Sequence, residues 1–128
     1  MTQKLIIHGR LPGYNQLNTG HWAARNRIKQ HSMKLVGWHI KAQKIKPVIG
    51  KATVTIRCYE SDRRRDPSNV RAGAEKILLD SLQECGIIRD DNARWLTDTP
   101  ATVEYDKANP RVEIVIDGQT EFEMEINK

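Results

Sequence analysis

Two periodicities follow one another in the middle of the chain, and together they restrict what it can fold into. Residues 51–59, KATVTIRCY, alternate: Ala52, Val54, Ile56 and Cys58 fall on one face and Thr53, Thr55, Arg57 and Tyr59 on the other. That is the pattern of a half-buried strand. From about Ser68 to Cys85 the spacing changes to threes and fours, which puts Val70, Ala74, Ile77, Leu78, Ser81, Leu82 and Cys85 on one stripe of a helix. Gly86 stands where a left-handed residue closes a helix. Sheet face and helix stripe must bury against each other, so the expected class is α+β or mixed α/β.

The flanking segments extend this pattern. Residues 4–9, KLIIHG, read as a first strand with Leu5 and Ile7 on one face, broken by Leu11-Pro12-Gly13-Tyr14-Asn15. Between about 17 and 45, Trp22, Ile28, Met33, Val36, Ile40 and Ile45 recur among Arg25, Arg27, Lys29, Lys34, Lys41 and Lys44. This predicts one long or two shorter basic helices, ended by Pro47. Residues 95–105 and 111–117 read as strands joined by a turn at 106–110, and Phe122, Met124 and Ile126 alternate as an edge strand or a tail. The expectation is a small mixed sheet of four to five strands packed with two helical regions. A chain of 128 residues is most simply one domain, residues 1–128.

Composition narrows the setting. No apolar run is long enough for a signal sequence or a membrane span, so the expected protein is cytoplasmic and without a membrane partner. Lys and Arg number 21 against 16 Asp and Glu, a net charge of +5 that is compatible with a polyanionic partner. Cys58 and Cys85 lie in no metal-ligand spacing and are expected as reduced core thiols. His8, His21, His31 and His39 also lack ligand spacing, and Trp22, Trp38 and Trp95 are expected as core or dimer contacts.

Chemistry concentrates in residues 60–96, ESDRRRDPSNVRAGAEKILLDSLQECGIIRDDNARWL. An acid-flanked arginine run precedes the helix, and Asp90-Asp91 follows it. Magnesium chemistry on a phosphodiester needs hard oxygen ligands and cations for the phosphate charge, and this stretch holds both. The two acidic loops lie at opposite ends of a helix roughly 26 Å long at 1.5 Å per residue. Asp66 and Asp91 therefore converge only if the return loop folds back or a dimer shares the site. Asn69, Gly73, Lys76 and Asp80 share a second stripe, and a glycine at mid-helix suggests close approach to its backbone or helix-on-helix packing.

These residues resemble a known family. DRRRDPSN, an apolar helix, Gly86 and the Asp90-Asp91 pair, with LPGYNQLN as a first loop, are similar to the RusA family of Holliday junction resolvases. The resemblance covers about residues 62–95. It implies a small mixed α/β homodimer that uses Mg2+ to cut DNA four-way junctions with paired nicks. By that resemblance Asp66, Ser68, Asp90 and Asp91 would surround the metal, with Asp66 and Asp91 its main ligands. Lys76 would assist catalysis, one turn beyond the family's lysine position, which Ala72 occupies here. Arg63, Arg64, Arg65, Asn69 and Arg71 would face DNA.

Ser68 departs from the family's Asp-x-Asp-Asn form, where an aspartate stands. The departure leaves two expectations, a junction-cutting nuclease and a junction-binding protein with little or no cutting. Local readings also stay open: Asp66 before Pro67 suits a helix N-cap, Ser68 suits a cap, Asp90-Asp91 a solvated turn, and the arginines a solvated loop.

Overall fold

The computed structural model describes residues 1–121, with Asp98 described in its backbone alone. The described residues form an α+β fold with a mixed five-stranded sheet and three helices: β1 (Thr2–His8), α1 (Tyr14–Asn18), α2 (Trp22–Ala42), β2 (Ala52–Glu60), α3 (Pro67–Glu84), β3 (Leu96–Asp98), β4 (Thr102–Tyr105) and β5 (Arg111–Asp117). The alternating stretch at Phe122, Met124 and Ile126 lies outside the described residues.

The sheet runs β1-β5-β2, and β3 and β4 then share the outer edge of β2. β5 is antiparallel to both neighbours, with Ile114 opposite Leu5 on one side and Ile56 on the other. β3 and β4 run parallel to β2, because α3 carries the chain back across the sheet. α3 packs on β2 and β4, α2 on β1, and the two helices on each other. Leu5, Ile7, Val54, Ile56, Ile77, Leu78, Leu82, Ile114 and Ile116 are among the side chains of the core they close.

Local chemistry sets the helix ends. The Asp66 carboxylate accepts from Asn69 N at 3.1 Å and Pro67 follows at N1, so α3 starts with a side-chain cap and a pre-set φ. Gly86 takes φ 74, and Ile87 N donates to Leu82 O at 2.8 Å to close the other end. The basic region resolves into short α1 and one 21-residue α2, whose first turn is capped by His21 Nδ1 accepting from Ala23 N.

Three sequence expectations need correction. The strand expected over 95–105 is two strands, because residues 99–101 leave the ladder: Pro100 has no N–H, and Ala101 N donates to Glu75 Oε1 at 3.2 Å. Cys85 is exposed, since it caps α3 beyond the covered part of the stripe, while Cys58 is a core thiol. Burial, reinforced by Glu60, pushes the Cys58 thiol up to about 12. Of the two roles expected for the tryptophans, core or dimer contact, Trp22 and Trp38 lose the first, being 65% and 66% exposed; Trp95 is half-buried, with Arg89 and Arg94 within 4.5 and 5.0 Å of its ring. Among the described residues no helix is long and apolar enough to cross a membrane.

Candidate nucleic-acid interface

Strand register sorts the chemistry-bearing loops between the two ends of the sheet. His8 pairs with Arg111, Arg111 with Tyr59, and Glu60 with Tyr105. The segments that follow β1 and β2 and the one that enters β5 therefore meet at one end, bringing Arg10, Arg63, Arg64, Arg65 and Asp66 together there. Leu96 pairs with Ala52, at the far end of the nine-residue β2. The Asp90-Asp91 loop sits at that end, about 26 Å away at ~3.3 Å per strand residue.

Arg65 anchors the motif loop. Its Nε and Nη2 donate to Glu60 at 2.7 and 2.9 Å, and its Nη1 donates to Leu11 O at 2.8 Å. Glu60 is buried, so this bidentate pair neutralises a carboxylate that would otherwise be stranded. A second clamp lies one turn into α3, where Asn69 Oδ1 accepts from Asn15 N at 2.7 Å. Gly73 lets the residue 12–13 backbone lie against the helix: a Cβ there would sit 2.7 Å from Gly13 C and closer still to Pro12 O. The close approach expected at this glycine is therefore that of the first loop, and the LPGYNQLN segment is the packing partner of the motif helix.

The other motif residues divide by position. Asp66 is exposed; Oδ2 serves the cap, while Oδ1 accepts no hydrogen bond among the described residues. Ser68 Oγ accepts from Arg71 Nη2 at 3.2 Å. Arg63 lies 4.0 Å over the Tyr105 ring, and Arg64, exposed, is 3.5 Å from Asp62. Lys76 is about 15 Å along the helix from Asp66 at ~1.5 Å per residue. It pairs with Asp80 at 3.2 Å, which Lys29 of α2 also reaches at 3.0 Å. At the far end, Asp90 Oδ1 accepts from Asp91 N and its Oδ2 from Asn92 Nδ2. Asp91 is exposed beside Lys51, Glu75 and Leu79. Asp66, Ser68, Asn69 and the arginines are thus brought together within the chain, whereas Lys76, Asp90 and Asp91 are not. Among the described residues no three His, Cys, Asp or Glu side chains converge to hold a metal ion.

Next to the motif loop opens a cleft of about 790 Å3 between α2 and residues 10–12. Arg10, Arg27, His31 and Arg65 line it together with Leu11, Pro12, Ile28 and Leu35. Neither Arg10 nor Arg27 forms an ion pair among the described residues. The α2 cations belong to a larger division of charge along the chain. Residues 1–59 hold eleven Lys and Arg and not one Asp or Glu; all sixteen acids lie from Glu60 onward. That division is visible in the sequence, and the fold turns it into a cationic cleft beside the motif. No family model and no curated protein matches this sequence.

Proposed function

We propose that the protein is a structure-selective DNA-junction nuclease of the RusA type that acts as a homodimer with magnesium. The observation that carries this reading is the end of the sheet where exposed Asp66, with one uncommitted carboxylate oxygen, lies among Arg63, Arg64, Arg10 and the Arg27–His31 cleft. Cations around a carboxylate suit a phosphodiester, whose charge they offset where it develops during cleavage.

Magnesium commonly takes one or two protein carboxylates together with substrate phosphate oxygens and water. Asp66 Oδ1 fits that role, Ser68 Oγ lies two residues on, and a second protomer is the only source of Asp91 at the same ion. When bound, the ion would lower the pKa of a coordinated water and polarise the phosphate. Arg63 and Arg64 bind the strand, while Arg65 holds the loop through Glu60 and Leu11 and so positions Asp66.

A second reading, junction binding without cutting, is favoured by one observation: Asp66 and Asp91 of a protomer lie at opposite ends of the sheet. Incubation of a labelled four-way junction and a matched duplex with protein and magnesium decides between them. The nuclease reading expects selective junction binding and paired nicks that Asp66→Asn abolishes. Junction binding with no nicking leaves the second reading, and equal affinity for duplex removes both.

A further inference from the structure

We propose that the outer face of α2 is a binding track for single-stranded nucleic acid, with Trp38 as its stacking platform. At 100° per residue Arg27, His31, Lys34, Leu35, Trp38 and Lys41 fall within one sector about 120° wide, opposite the buried Val36 and Ile40. This face carries no acid, and Arg27, Lys34 and Lys41 form no ion pair among the described residues. Lys29, on the inner side, is the α2 cation that does pair, with Asp80. The unpaired cations span about 21 Å of helix at ~1.5 Å per residue.

The apolar groups on the same face point to a particular polyanion. Trp38 is 66% and Leu35 40% exposed, and the indole is held edge-on against His39 with ring centres 5.2 Å apart. Two concave surfaces flank this ridge. One is the Arg10–Arg27–His31 cleft; the other, about 630 Å3, is lined by Lys34, Trp38, Lys41, Lys44, Ile45 and Pro47 among others. Both combine a cationic rim with apolar walls. Duplex DNA presents phosphates to such a surface but keeps its base faces stacked inside. A single strand presents both, with phosphates for the lysines and arginines and base faces for Trp38 and the walls. The track shares Arg27 and His31 with the cleft beside Asp66, whereas Lys34, Trp38 and Lys41 lie outside that cleft, and single-strand binding through them does not depend on whether the Asp66 site cuts.

Fluorescence anisotropy with a labelled oligothymidylate of about fifteen nucleotides, against a hairpin duplex of equal charge and across a salt series, tests the proposal. The single strand should bind at least tenfold more tightly than the duplex. Trp38→Ala should weaken single-strand binding by roughly five- to a hundredfold, while Trp38→Phe keeps most of the affinity and Trp22→Ala changes nothing. Lys34→Ala combined with Lys41→Ala should lower the salt slope by about 1.4, at ~0.7 per phosphate contact. The oligonucleotide should bind as tightly in EDTA as in magnesium at matched ionic strength, which separates this site from the nuclease reading. Duplex binding as tight as the single strand, or a Trp38→Ala variant equal to wild type, overturns the proposal.

Discussion

Arg65 and Arg64 are neighbours of one type with opposite roles, and the difference lies in what each touches. Arg65 satisfies the buried Glu60 and a backbone carbonyl, whereas Arg64 is almost wholly in solvent. Arg65→Ala leaves a carboxylate buried without its partner, which typically costs about 3–5 kcal/mol. Arg64→Ala should stay within about 0.5 kcal/mol, and urea unfolding of the two variants reads the contrast. A second buried acid, Glu113, is held below the usual carboxylate range by the hydrogen bond from Lys4 and then by Arg111, against the opposing effect of burial. A depressed folded pKa contributes stability that is present above the unfolded value, about 4.3, and lost as pH falls through the folded one. Stability should therefore drop below about pH 4, and Glu113→Gln should flatten that part of the curve while lowering stability at neutral pH. Asp66 as a cap was legible, because Asp before Pro is a local signal. The roles of Arg65 and Glu113 were not, because their partners Leu11 and Lys4 lie 54 and 109 residues away.

At the scale of elements, α3 and the first loop form one unit. The helix gives up about 1 kcal/mol of propensity at Gly73 relative to alanine, and in return the residue 12–13 backbone lies against it. Gly73→Ala gains the propensity but forces its Cβ into that backbone, so the variant should lose roughly 1–3 kcal/mol net. A lower urea midpoint is the expected result; a higher one would mean that the loop does not press on the helix. The periodicities of β2, α3 and β5 were legible because each is long enough to show its repeat. The break between β3 and β4 was half legible: Pro100, which has no N–H, marks it locally, but the acceptor that takes Ala101 N out of the ladder, Glu75, lies 26 residues away. The division of the basic region into α1 and α2 was open for a similar reason: Leu17 and Trp22 fit one pattern, but the 19–21 segment between them leaves the helix.

For the whole molecule, the α+β class followed from the order of periodicities, but the placement of the site did not. The parallel pairing of β2 with β3 and β4 puts the start of α3 and the loop before β3 at opposite ends of the sheet, and no local pattern announces strand order. The charge division did lie open in the sequence: the 59 residues without an acid supply α2 and the Arg10, Arg27 and His31 of the cleft beside the motif. Within this architecture a metal site that uses both Asp66 and Asp91 needs two protomers, one carboxylate from each. Subunit mixing tests that directly. Asp66→Asn and Asp91→Asn should each fail to nick a four-way junction with magnesium. Unfolded and refolded together, they should recover about a quarter of the wild-type sites, since half of the twofold dimers are mixed and each holds one intact pair. Full activity in either single variant, or a mixture as inactive as its parents, would contradict the shared site.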